Sequence, residues 1–287
     1  MDEPTATLIH ISDPHVEAAG VRSRYGTDTA VVLGRALRRV QDSGLRPDAL
    51  VLTGDLTEHG RPEEYRRVRE AVAPVAERLG AAVVYVAGNH DVPAVLRREL
   101  LDVDIDTDGP SPLHYAVRLG GLRIVVLDSS VPGRAYGALC DQQLTWLRAE
   151  LAEPAPDGTV LALHHPPLPS AMPLTAAMEL QQPGGLVAAI AGSDVRIVLA
   201  GHTHAVSAGS VAGIPVWTGG ALASTADALA APGTSRYLRA PGLARIDLFP
   251  GAVIATAIPV AVDPVAELDP AATTAMVTEL RSVLPAG

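Results

Sequence analysis

The sequence predicts an α/β domain: a largely buried sheet with helices on its faces. Short apolar runs without a polar face recur along the chain, as in strands covered on both sides. Segments with apolar residues at helical spacing lie between them. The two kinds alternate, which places helices against a sheet rather than in a separate layer of their own.

The elements follow in order. "ATLIHIS" reads as a buried strand ending at Ser12. "TAVVLGRALRRVQDSG" has helical spacing and stops at Gly44. "DALVLTGD" is a short apolar strand. "PEEYRRVREAVAPVAERLG" is a helix with Pro62 near its start and a kink expected at Pro74. "AAVVYVAGN" is another buried strand, and "VPAVLRREL" a short helix. "LHYAVRLGGLRIVVLDSS" reads as two strands joined at Gly120-Gly121. Asp141 is placed to cap the helix "QQLTWLRAEL". "TVLALHHPP" and "VRIVLAGHTH" are two more apolar strands. "SAGSVAGIPVWTGG" and "LARIDLFPGAVIATAIPV" are rich in turns and β-branched residues. Residues 221–242 read as loop. The domain is taken as residues 1–260, followed by a tail, 261–287, with a peripheral helix.

Composition removes several function classes. The 287 residues carry 22 basic and 32 acidic groups, a net charge of −10, which does not suit a nucleic-acid backbone or an anionic membrane as main partner. Every basic residue is Arg, so no mechanism built on a P-loop, Schiff-base or nucleophile-activating lysine is available. The single cysteine, Cys140, excludes an internal disulfide and a cysteine-based zinc cluster. The acidic start has neither the basic region nor the apolar stretch of a secretory signal, and no apolar run reaches membrane-spanning length, so a cytoplasmic location is expected.

In sheets of this kind ligands bind beyond the carboxyl ends of strands. The first strand ends in Asp13-Pro14-His15, the second in Gly54-Asp55, the third in Gly88-Asn89-His90-Asp91. Later ones end in His164-His165 and Gly201-His202-Thr203-His204. The expectation is that five strand ends of one sheet each present His, Asp or Asn; with His15, they hold six of the nine histidines. Each motif alone has an ordinary reading: a capping Asp, a turn, a strand end held by prolines. His10 reads as a core histidine, His59 as a loop residue and His114 as a surface residue at the start of the hairpin. Asp128 reads as structural. Imidazoles, carboxylates and one amide, without thiolate, suit Mn, Fe, Zn or Co. The ligands exceed one coordination shell, so two ions are expected, with the carboxylate of Asp55 as the natural bridge.

The ordered set Asp13-x-His15, Gly54-Asp55, Gly88-Asn89-His90-Asp91, His164 and Gly201-His202-x-His204 resembles the calcineurin-like metallophosphoesterase superfamily, over about residues 7–258. Within it the chain is most similar to bacterial class III cyclic-nucleotide phosphodiesterases of mycobacterial type, through "SGLRPDALVLTGDL", "LDSSVPG", "PAPDGTVLALHHPPLPS" and "AGIPV". "GRPEEY" also resembles the glycerophosphodiesterases. The resemblance implies a four-layered αββα sandwich. It implies one metal on Asp13, His15, Asp55 and His204 and another on Asp55, Asn89, His164 and His202, an Fe and Mn pair, with Zn or Co as alternatives. His165 would stand behind the ligands. His90 would be the catalytic histidine off the metals, oriented by Asp91. Pro14 stands where the family varies and stiffens the loop.

The implied reaction is hydrolysis of a small-molecule phosphodiester, a cyclic nucleotide first and a glycerophosphodiester or a broader set of phosphoesters second. Water activated by the metals attacks phosphorus, and His90 assists the leaving oxygen. A scaffold with an eroded site would lack a ligand or His90, and none is missing. A nuclease would want a basic or aromatic track, and aromatics are 3% of the chain. A homodimer is expected through spare apolar surface on the helix from Gln142 to Leu151.

Overall fold

The computed structural model describes residues 3–101 and 112–282; Met1, Asp2 and the last residues of the tail, 283–287, lie outside these. The chain begins with β1 (Ala6–Ile11), α1 (Thr29–Asp42), β2 (Ala49–Thr53), α2 (Pro62–Leu79), β3 (Ala82–Val86) and α3 (Pro93–Leu100). The hairpin β4 (Tyr115–Leu119) and β5 (Leu122–Val126) follows, then α4 (Asp141–Glu150), β6 (Thr159–Ala162), the short α5 (Pro173–Ala176), α6 (Gly184–Ile190) and β7 (Val195–Ala200). A second hairpin, β8 (Ser207–Val211) and β9 (Ile214–Thr218), precedes a two-residue ribbon, β10 (Thr225–Ala226) with β11 (Tyr237–Leu238). A third hairpin, β12 (Gly242–Phe249) and β13 (Ala252–Pro259), leads to α7 (Pro270–Ser282).

The strands form two main sheets, not the one expected from the strand ends. One has the order β13-β12-β1-β2-β3, the other β4-β5-β6-β7-β9-β8. A strand apolar on both faces reads the same whether its second cover is a helix or another sheet, so the sequence pattern does not separate the cases. Alternate residues make the distinction. Leu8 of β1, Val51 of β2 and Val84 of β3 share a core with Ile124 of β5, Val160 of β6 and Leu199 of β7, between the sheets. Their neighbours Ile9, Leu50 and Tyr85 pack outward on Leu33 and Leu37 of α1 and Val68 and Val72 of α2. On the far side Val125, Leu161 and Val198 pack on Leu144 and Leu147 of α4 and Leu186 and Ile190 of α6. The result is the αββα layering.

α2 runs through Pro74 to Leu79 and ends on Gly80, whose φ is +69°. Two local expectations are corrected. Asp141 is the first residue of α4, while the capping position belongs to Cys140, whose N–H donates to Gln143 Oε1 at 3.4 Å. His114 is not a surface residue: it is half-buried, its ring 4.6 Å from that of Trp146. The helix expected to offer apolar surface to a second copy spends it internally, since Leu144, Leu147 and Leu151 are buried against the second sheet. In the tail, α7 has no buried residue.

β1, β2 and β3 run parallel, as do β5, β6, β7 and β9. The carboxyl ends of both sets meet at one edge of the sandwich. There Gly201 N–H donates to His164 O at 2.9 Å within the second sheet, and His202 N–H reaches the Asp13 carboxylate at 3.1 Å, tying the two sheets together.

Candidate metal centre

The loops after β1, β2 and β7 carry an unusual backbone. Asp13, His15, Asp55, His202 and His204 all have φ between +44° and +69°. Non-glycine residues in this region cost of order 1–3 kcal/mol each and persist where surrounding structure holds them. Here the holders are hydrogen bonds between loops: Asp13 N–H to Gly54 O at 3.2 Å, His15 N–H to Asp55 O at 2.9 Å and Ala223 N–H to Asp13 O at 3.1 Å. Gly88 opens the turn that carries Asn89 and His90, its carbonyl accepting the Asp91 N–H at 3.2 Å, and it also permits a close approach. A Cβ there would overlap the backbone nitrogen and carboxylate of Asp55.

The seven residues singled out as ligands come to one nest. Ligand atoms of Asp13, His15, Asp55 and His204 lie within 4.8 Å of one another. Asp55 Oδ2 is 3.4 Å from His15 Nε2 and 3.4 Å from His164 Nε2, midway between two groups of donors. Its other oxygen accepts the His90 N–H at 2.9 Å. Asn89 Oδ1 is 3.2 Å from His164 Nε2. The His202 ring is 5.0 Å from that of His164.

Each of the four histidines has its outer nitrogen against an oxygen that only accepts. His15 Nδ1 faces Glu58 Oε2 at 2.8 Å, His164 Nδ1 faces Thr53 O at 2.8 Å, His202 Nε2 faces Met178 O at 2.9 Å and His204 Nδ1 faces Ser224 O at 2.8 Å. Those nitrogens therefore carry hydrogen, and in a neutral ring the inner nitrogen presents a lone pair. Such buried lone pairs beside carboxylates, without thiolate, fit divalent cations of the Mn, Fe, Zn and Co group.

His165 adjoins the same nest and has ligand atoms near those of His164 and His202. Its nitrogens are both taken. Ser129 Oγ accepts the His165 N–H at 3.1 Å and lies 2.8 Å from Nδ1, and Nε2 faces Ala135 O at 3.1 Å. Burial, with His164 and His202 beside it, holds its pKa well below the usual value, so the ring stays neutral.

The nest's own field is negative. Burial alone would lower the pKa of His15, but the Glu58 hydrogen bond and the charges of Asp55, Asp13 and Glu58 outweigh it and push it up to about 9. His164 is likewise lifted to about 9 against burial by Asp55, with help from Asp13 and Thr53 O. For His202 burial and the neighbouring His164 prevail, and its pKa falls to about 4.

Two assignments around His90 change. Asp91 does not hold His90. Its carboxylate accepts from Leu56 N–H, Thr57 N–H and Oγ1, Tyr65 Oη and Gly88 N–H, at 2.9–3.2 Å, bracing the loops after β2 and β3. The His90 ring is held by Glu58, whose carbonyl accepts from Nδ1 at 2.8 Å. Glu58 was not legible as a site residue: it is one of many acidic loop residues, and its partners come from other strands. His10 is a core residue, with Nε2 2.7 Å from Thr53 Oγ1, and His59 is a loop residue beside Glu64. Asp128 accepts from Leu113 N–H and Ser130 N–H, a structural role.

An αββα sandwich whose parallel strand ends bring Asp, His and Asn to one double nest defines a class of phosphoesterases. The chain belongs to the calcineurin-like phosphoesterase family, whose model matches residues 6–206. It is 44% identical, over 89% of its length and 80% of the relative's, to the cAMP/cGMP dual specificity phosphodiesterase MT0825 of Mycobacterium tuberculosis. It is 46% identical, over 74% of its length and 69% of the relative's, to a probable cyclic nucleotide phosphodiesterase of Rhodococcus erythropolis. A dimetal phosphatase from Danio rerio shares the fold, with a TM-score of 0.65 at 16% identity, covering 91% of this chain and 98% of that one.

Proposed function

We propose that the chain hydrolyses cyclic nucleotides, 3',5'-cAMP or 2',3'-cyclic nucleotides, with residues 1–260 as the catalytic domain. The observation that carries the substrate is the likeness, over most of the chain, to two bacterial proteins named as cyclic nucleotide phosphodiesterases. Asp13, His15, Asp55 and His204 hold one ion, and Asp55, Asn89, His164 and His202 the other. Support comes from Asp55 Oδ2, equidistant from His15 and His164. The pair is Fe and Mn, with Zn or Co able to substitute. Bound, the ions supply Lewis-acid charge for the phosphate oxygens and lower the pKa of water.

The residues do the rest. Asn89 offers a neutral oxygen and so leaves more positive charge for the anionic substrate. His90 donates Nδ1–H to Glu58 O, which leaves Nε2 for the substrate. The Glu58 carboxylate lies 3.9 Å from His90 Nδ1, and His90 is the group placed to assist the leaving oxygen. Steady-state rates of the metal-loaded protein on cAMP, cGMP, 2',3'-cAMP, glycerophosphoethanolamine and p-nitrophenyl phosphate test the reading. The largest kcat/KM is expected on a cyclic nucleotide. A tenfold preference for the glycerophosphodiester or the monoester would refute it.

A further inference from the structure

Beside the metal nest stands a pair of tyrosines that the reaction as described leaves unused. Tyr25, on the loop after β1, and Tyr237, on β11, are 212 residues apart in the chain and stack with ring centroids 5.6 Å apart at an interplanar angle of 29°. The Arg24 guanidinium lies 5.0 Å above the Tyr25 ring. The Tyr237 ring is 6.4 Å from that of His204, edge to face. Neither hydroxyl has a hydrogen-bond partner among the described residues, unlike Tyr65 and Tyr115, whose hydroxyls brace the core.

The pair is built, not incidental. Tyr237 pairs with Ala226 across the β10–β11 ribbon, and Ala226 N–H donates to His204 O at 2.8 Å. Arg239 Nη2 donates to Tyr25 O at 2.8 Å, joining the other loop to the same ribbon. The ribbon that anchors His204 therefore also sets the position of Tyr237. Tyr237 lines a cavity of about 330 Å³ as well, walled by Met172, Leu174 and the Asp227–Arg236 ion pair. In a chain with 3% aromatic residues, two half-exposed stacked rings next to a phosphoester centre form a planar apolar wall. Such walls take flat heteroaromatic rings, since every base has a π-face.

We propose that Tyr237, backed by Tyr25 and Arg24, is a specificity residue that stacks the base of a nucleotide whose phosphate sits in the metal nest. This rests on the cyclic-nucleotide reading, and the test separates the two. With methyl p-nitrophenyl phosphate as reporter, inhibition of the metal-loaded protein by AMP and by ribose 5-phosphate isolates the base. Wild type is expected to bind AMP roughly 10-fold more tightly. Tyr237→Ala is expected to bring the ratio near one and to raise KM for the cyclic nucleotide, while leaving kcat/KM on glycerophosphoethanolamine and both ions, by elemental analysis, in place. Tyr237→Phe and Tyr237→Trp are expected to keep the preference. An equal affinity of wild type for the two inhibitors, or a preference unchanged in Tyr237→Ala with both ions bound, would overturn the proposal. A wild type that prefers AMP but turns over no cyclic nucleotide would support the wall and refute the substrate reading.

Discussion

His15 and His204 point their Nε2 atoms at each other across 3.1 Å, while the Nδ1 of each already faces an acceptor. Two lone pairs at that distance repel unless a positive charge lies against them. A proton can supply it, and so can a metal ion.

The proton answer gives the metal-free protein a defined pH dependence. His15 and His164 have folded-state pKa values near 9, above the unfolded 6.5. A raised folded pKa contributes stability that is complete below the unfolded value and lost as pH rises through the folded one. The Tm of chelated protein is therefore expected to fall between pH 6.5 and 9, more than in a doubly substituted His15→Asn, His164→Asn variant. The metal-loaded protein is expected to lack this fall. Calorimetry showing the same slope in chelated wild type and variant would contradict it.

Asp55 Oδ2 lies 3.4 Å from both His15 Nε2 and His164 Nε2, the position proposed for a bridging carboxylate. Asp55→Ala is expected to lose metal at both sites and with it all turnover. Elemental analysis that still finds two ions per chain would remove the bridging role.

Glu58 fixes the ring of His15, a proposed ligand, and touches the proposed acid. Partners of this kind are typically worth about 10–100-fold in metal affinity. Glu58→Ala is expected to weaken one of the two ions by that amount, with Glu58→Gln, which keeps an acceptor for His15 Nδ1–H, weakened less. Metal titration reads this directly; equal affinities in all three proteins would leave Glu58 without the role.

His90 is separable from the ligands. His90→Ala is expected to keep both ions while turnover falls by roughly 10²–10⁴-fold. The loss is expected to be larger on a cyclic nucleotide, which expels a poor ribose alkoxide, than on a nitrophenyl ester. Equal losses on both, with both ions bound, would make His90 a phosphate-positioning group.

The elements were legible because their patterns are local. Apolar runs, Gly44, Gly80 and the Gly120-Gly121 turn mark strand and helix limits from neighbours alone. The clustering of Asp, His and Asn at strand ends was visible for the same reason. Asp91 misled because adjacency to His90 in sequence says nothing about where a carboxylate points in space. It turns away to satisfy four donors on two loops and the Tyr65 hydroxyl on α2, while Glu58, on the loop after β2, reaches the ring instead.

By itself the sequence determined which chemical groups stand at the strand ends, because residue type and order are local facts. Tertiary structure decided which sheet each strand joins, which nitrogen of each histidine faces inward and which carboxylate steadies His90. The physical reason is that these depend on hydrogen bonds between residues far apart in the chain. Thr53 O on His164, Met178 O on His202 and Ser224 O on His204 are backbone acceptors, and a backbone carbonyl has no letter in the sequence.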